Sequence, residues 1–357
     1  MALSIPYTHL TEESNIYDFN PVTSLLFSVP VILQISFNLQ PYTRMKLQKR
    51  LENLRFIQTM FGEKTITLQH TKPQNDMNYI TLNNGVKMPQ LGYGVYQVDP
   101  KECKRCVLDA IQSGYRLIDT AQAYHNEEGV GAAIAECGVP REELFIVTKV
   151  WICNAGEEKA YASILESLRK LSTDYIDLLL IHQPFGDYYG TYRAMERAYR
   201  EGKLRAIGVS NFYPDRFIDL THHVEVKPAV NQVEAHVFDQ QVVAQQYNEK
   251  YGCRIMSWGP FAEGRNGFFT NEVLSEIGHA HGKTVAQVGL RFLLQRGMII
   301  IPKSTHKERM EENFNIFDFA LTDEDMARIA TLDTKQSVFL SHYAPEIAEQ
   351  FMEWENL

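Results

Sequence analysis

From about residue 91 onward, the apolar positions of this chain fall into short uninterrupted blocks. Between the blocks, apolar residues recur at helical spacing. Such blocks lie near 91–94, 116–119, 144–149, 175–181, 204–209, 229–233, 254–258 and 298–301, several of them rich in Ile, Leu and Val. A strand covered on both faces loses the apolar–polar alternation of a half-exposed one, so these blocks predict buried parallel strands. The gaps predict helices. Glu157–Leu171 places Ile164, Leu165, Leu168 and Leu171 on one face, and Thr284–Gln295 repeats the pattern. Gly114, Gly202, Gly252 and Gly297 each stand just ahead of a strand, where a helix C-cap is expected. Eight such units in about 215 residues predict an α/β fold, a single (β/α)₈ TIM barrel. Ahead of the first unit, Asn78-Tyr-Ile-Thr-Leu-Asn-Asn-Gly85-Val-Lys-Met-Pro89 predicts a hairpin turning at Gly85. After the eighth come helical stretches at 307–313 and 322–332, then a tail to Leu357.

Residues 1–76 lack this rhythm. They hold seven Lys or Arg against six Asp or Glu, a net +1, so the rest of the chain carries −10 and the whole chain −9. Their apolar centre, Leu25–Phe37, contains Pro30 and Gln34. A membrane-spanning helix needs about 20 apolar residues, more than this segment offers. A signal peptide wants a basic start, whereas Glu12, Glu13 and Asp18 come first here. The expectation is therefore a poorly structured extension over 1–76, with Met77 opening the functional protein and the barrel occupying 77–357. A membrane tether is the competing reading of the extension.

Charge and cysteines narrow the function classes. A net charge of −9 argues against a nucleic-acid footprint, which needs a basic face. Five scattered cysteines suggest a reducing compartment, hence a cytoplasmic protein. Cys103 and Cys106 form a C-x-x-C, but within the helical stretch Lys101–Ser113 and without a thioredoxin-like context. They read as ordinary helix residues.

Four polar residues stand at or near the ends of predicted strands: Asp119, Lys149 and His182, with Tyr124 five residues past the first. In a barrel these ends converge on one pocket. A phenol beside an ammonium is a candidate acid for a developing alkoxide, because the cation favours phenolate and lowers the pKa from about 10. Lys149 is the candidate cation, Asp119 the carboxylate that holds it, and His182 the group that orients a carbonyl. No metal is required if such a donor is well placed. A second cluster, Ile301-Pro-Lys303-Ser304-Thr305-His306-Lys307-Glu-Arg309, gathers cations and hydroxyls at a predicted helix start, where barrels often bind phosphate. Gly92-Tyr-Gly94 and Gly129-Val-Gly131 lack the G-x-G-x-x-G context of a dinucleotide fold, so they read as turn and packing glycines.

Gly114-Tyr-Arg-Leu-Ile-Asp-Thr-Ala121 with Glu127-Glu-Gly-Val-Gly131, and Ile301-Pro-Lys-Ser304, resemble the signatures of the aldo-keto reductase family, over about Asn78 to Asp333. Leu91-Gly-Tyr-Gly94, Ser257-Trp-Gly-Pro260 and Glu311-Glu-Asn-Phe314 look most like its bacterial 2,5-diketogluconate reductase and glyoxal reductase members. The resemblance implies NADPH-dependent reduction of an aldehyde or ketone, with Tyr124, Lys149, Asp119 and His182 as catalytic residues. It implies a hairpin that plugs the barrel floor, a monomer, and no membrane or nucleic-acid partner. It assigns Lys303, Ser304 and Arg309 to the adenosine 2′-phosphate, Glu312 and Asn313 to adenine, and Ser210, Asn211, Gln232 and Trp258 to the nicotinamide end. Tyr96, Trp151, His125 and His182 are the candidate substrate wall. Many relatives carry Trp after the catalytic His; Gln183 stands here, which predicts a more polar or roomier wall. The tail, with Phe339, His342 and Tyr343, is a candidate cover. Two rival readings stay open: a Schiff-base aldolase using Lys149, and a barrel that binds NADPH without catalysis.

Overall fold

A computed structural model describes residues 78–354. The expected extension over 1–76 lies outside the described residues.

The eight predicted strands are all present and parallel. They are β3 Gly92–Gly94, β4 Leu117–Asp119, β5 Phe145–Val150, β6 Leu178–Ile181, β7 Ile207–Ser210, β8 Val230–Glu234, β9 Arg254–Trp258 and β10 Ile299–Ile300. Each hydrogen-bonds its sequence neighbour, from β3 through to β10. The ring then closes: Leu91 bridges Ile300 in parallel, with Ile300 N–H donating to the Gln90 carbonyl at 2.8 Å. Helices separate the strands, and the predicted stretches appear nearly as read, at Pro100–Gln112, Glu157–Lys170 and Val285–Gln295. Thr284 starts the last of these with a reciprocal cap: its hydroxyl accepts the Gln287 N–H, and the Gln287 side chain accepts the Thr284 N–H. The glycines predicted as helix stops take the left-handed backbone, Gly202 at φ +76° and Gly252 at φ +73°.

Strand β1 (Tyr79–Thr81) and β2 (Lys87–Pro89) form the predicted antiparallel hairpin, with Gly85 at φ +85° in the turn. Leu82 and Met88 of this hairpin are buried against Leu117, Phe145, Leu178, Met256 and Ile299, all at the barrel floor. The hairpin closes that end of the barrel, and chemistry is left to the opposite end. Cys103 and Cys106 lie buried in the helix Pro100–Gln112 as thiols. Burial pushes Cys103 up to about 12, so the thiolate needed for redox chemistry is suppressed. A Cβ at Gly129 would fall 2.8 Å from Cys103 Cβ, and one at Gly131 only 2.3 Å from the Lys170 carbonyl. These glycines let helices approach, as the sequence indicates. No described helix is long and apolar enough to cross a membrane.

Candidate active site

Asp119 ends β4, Lys149 lies one residue inside the end of β5, and His182 directly follows β6. Tyr124 closes a single 3₁₀ turn, Gln122–Tyr124, that leaves β4. The four side chains meet at one end of the barrel. Lys149 is fully buried. Its Nζ donates to Asp119 Oδ2 at 2.7 Å, to the Thr120 carbonyl at 2.8 Å and to the Tyr124 hydroxyl at 3.4 Å. An ammonium has three N–H bonds, and all three are used. His182 packs edge-on against Tyr124 and Trp151, at ring distances of 5.5 and 4.9 Å. Its Nδ1 is buried without a hydrogen-bond partner among the described residues.

Burial governs the protonation states. It pushes Asp119 up and Lys149 down, each toward neutrality, and their direct bond draws each back. It drives His182 well below its usual 6.5, helped by the Lys149 charge, so the imidazole is neutral. Tyr124 corrects the sequence reading. Its pKa lies well above 10, not below, because burial dominates and the Asp119 charge adds to it. The physical reason is that Lys149 does not act as a lone cation: Asp119, at 2.7 Å, cancels much of its field at the phenol. Tyr124 is therefore a stored proton rather than a pre-acidified one.

The residues expected at the nicotinamide end lie beside this group. Asn211 takes a left-handed φ of +62° just after β7. Its Oδ1 accepts the Trp258 indole N–H at 2.9 Å, and its amide donates to the His182 carbonyl at 3.0 Å. Ser210 Oγ is buried with no hydrogen-bond partner among the described residues. Gln232 is placed differently from its neighbours. Its amide nitrogen donates to Asp119 Oδ1 at 2.8 Å, so it braces the tetrad from within the barrel.

Lys303, Ser304, Arg309, Glu312 and Asn313 share one cavity of about 690 Å³ at the start of the helix Lys307–Phe314. The charged residues Lys303 and Arg309 are exposed there. Phe261 and Phe269 form another wall. The sequence reading missed them, because Phe261 precedes and Phe269 lies within an irregular turn, Ala262–Thr270, with no periodic signal. A cavity offering cations at one point and flat apolar faces at another fits a dinucleotide's phosphate and base.

On the expected substrate side, Tyr96 is half exposed, with its ring 5.0 Å from Tyr124. Trp151 is held by Gln122, whose Oε1 accepts the Trp151 N–H at 2.9 Å. His125 is exposed on a separate cavity of about 530 Å³ that shares Trp151 as a wall. The tail covers this side. Phe339 lies against Trp258, and Phe351 and Trp354 against Trp151. Tyr343, also named from sequence, is 62% exposed and packs outside, on Tyr213. Gln183 proves to be a hydrogen-bonding hub; the sequence showed only that it replaced Trp.

Residues 84–334 match the model of the Aldo/keto reductase family. A glyoxal reductase of Bacillus subtilis is 46% identical over 268 residues, covering 74% of this chain and 96% of that protein. The crystal structure of a putative 2,5-diketo-D-gluconic acid reductase B superposes with a TM-score of 0.72 at 38% identity, over 76% of this chain and 98% of the other. A Bombyx mori aldo-keto reductase, solved in complex with NADP, gives a TM-score of 0.71 at 35% identity, over 74% of this chain and 95% of the other. Barrel, site and sequence agree: the chain belongs to the aldo/keto reductase family of oxidoreductases.

Proposed function

We propose that this protein reduces an aldehyde or ketone to the alcohol with NADPH, and that Tyr124 delivers the proton. The observation that carries this reading is the placement of the Tyr124 hydroxyl 3.4 Å from a buried Lys149 that Asp119 holds at 2.7 Å. Bound NADPH supplies a hydride to the carbonyl carbon. The C=O π bond breaks as the hydride arrives, and the electron pair moves to oxygen. Tyr124 gives its proton to that oxygen, forming the alcohol O–H. The phenolate left behind is stabilised by the Lys149 ammonium, an interaction that grows only as charge develops. Neutral His182 sits on the ring edge of Tyr124 and orients the carbonyl oxygen toward the phenol. Trp151, Tyr96 and the tail line the approach to the site.

A Schiff-base reading fits less well. Amine attack needs an unprotonated lone pair, yet every hydrogen of Lys149 Nζ is committed to an oxygen. The test is a panel of carbonyl compounds, including glyoxal, methylglyoxal and keto sugars, followed by loss of the reduced-nicotinamide absorbance. Oxidation of NADPH that depends on the carbonyl is expected. No oxidation with any member, or a borohydride-trapped adduct on Lys149, would replace this reading with a rival.

The cofactor preference has its own test. We infer that Lys303, Ser304 and Arg309 hold the 2′-phosphate that distinguishes NADPH from NADH, with Glu312 and Asn313 at adenine. Arg309→Ala then weakens NADPH by roughly 10-fold or more and leaves NADH nearly unchanged, since a charge-assisted contact to phosphate is worth about 1.5–3 kcal/mol. Equal weakening of both in a fluorescence titration would remove Arg309 from that role.

A further inference from the structure

Two of the points that fasten the segment following the last barrel helix lie beside the site. At the first, Glu234 at the end of β8 accepts the Ser337 hydroxyl at 2.5 Å and the Val338 N–H at 2.8 Å. His236 steadies this carboxylate. Its Nδ1 accepts the Phe238 and Asp239 N–H groups, so its Nε2 carries the hydrogen that reaches Glu234 at 2.9 Å. At the second, His342 is buried beside the stacked pair Phe185 and Phe351, 6.0 and 5.8 Å from their ring centres and nearly parallel to both at 19° and 12°. Its Nε2 lies 2.7 Å from Gln183 Oε1.

The polarity of the bonds behind His342 is forced from the far end. An indole N–H can only donate, so Asn211 must present Oδ1 to Trp258. That fixes the Asn211 amide nitrogen toward the His182 carbonyl and Gln183 Oε1, the latter at 3.2 Å. Gln183 Oε1 is thereby an acceptor, and His342 Nε2 must donate to it. The chain Trp258–Asn211–Gln183–His342 therefore has one consistent orientation. Removing His342 takes away one anchor of the Gln183 side chain, and a Gln183 that turns no longer presents Oε1 to the Asn211 amide. The same tail segment also lays Phe339 on the Trp258 ring, at 5.2 Å.

We propose that Gln183 and His342 are positioning residues for the nicotinamide end, so that docking of the C-terminal segment and binding of NADPH reinforce each other. This rests on the reading of Asn211 and Trp258 given above. Neither Gln183 nor His342 touches a reacting atom; both act by holding the Asn211 amide and the Trp258 ring in one orientation. Such coupling is reciprocal: a seated tail tightens NADPH, and NADPH seats the tail.

The test uses the full chain with NADPH as the probe. Its affinity is read by quenching of intrinsic fluorescence, and the tail by hydrogen exchange over 337–354 with and without NADPH. His342→Phe keeps an aromatic ring beside Phe185 and Phe351 and removes the donor; Gln183→Met removes the acceptor. Each is expected to weaken NADPH by about 5-fold. The double variant should be no weaker than the more affected single, because both break the same link. NADPH should slow tail exchange in the wild type but not in either single variant. Wild-type tail exchange that ignores NADPH, or single variants within twofold of wild type while Asn211→Ala clearly weakens NADPH, would overturn the inference alone. Unchanged NADPH affinity in Asn211→Ala would overturn the nicotinamide-end assignment, and the inference with it.

Discussion

Tyr124→Phe is expected to lower turnover by roughly 10²- to 10⁴-fold, the usual worth of a placed general acid, while NADPH binds nearly as before. The ring stays, so packing against Tyr96 and His182 is kept. Only the hydroxyl near Lys149 is lost. Single-turnover rates with saturating NADPH measure this directly. Turnover within a few-fold of wild type would move the acid role to another group. The pH profile carries a second expectation. Tyr124 sits well above 10 and His182 well below 6.5. The phenol therefore keeps its proton as pH rises toward 10, and the imidazole stays neutral as pH falls toward 6.5. Neither group should bend the rate across that window.

Asp119→Asn is expected to cost about 3–5 kcal/mol of stability, as when one partner of a buried ion pair is removed. In a chain of this size that lowers Tm by several degrees. Asp119 does more than hold Lys149, since Gln232 also donates to it from the opposite wall. Without the carboxylate, burial pushes Lys149 further down, in the direction already present. The sign of the pH dependence follows. The folded variant holds the Lys149 proton less tightly than the unfolded chain, so its stability rises with pH. The Tm deficit against wild type should shrink between pH 7 and pH 9. A Tm equal to wild type at pH 7 would show that the pair is not a structural ion pair. Turnover should fall as well, because Lys149 would lose its fixed place beside Tyr124.

The barrel was legible because its information is local. Uninterrupted apolar blocks, helical spacing and cap glycines each report on a few residues, and β3 to β10 appeared where those patterns lay. Boundaries moved where a side chain replaced a backbone partner. The block at 175–181 shortens to Leu178–Ile181, leaving Ile176 and Leu204 as a single bridge. There Asp177 accepts the Ile146 N–H through its carboxylate at 2.9 Å and pairs with Arg141 and Arg205.

The tetrad was legible for a related reason: strand order and strand polarity place Asp119, Lys149 and His182 at one end of a barrel before any distance is known. Sequence alone therefore determined the fold, the family and which residue types meet at one end of the barrel. Three things waited for the tertiary structure. The state of Tyr124 depends on a balance between burial and a paired charge, which is a property of the assembled pocket. The commitment of Gln232 to Asp119 joins residues 113 positions apart. The tie between His342 and Gln183 spans 159 positions. No local pattern records contacts of that reach, because the side chains involved carry no periodicity, and only packing selects which acceptor each donor finds.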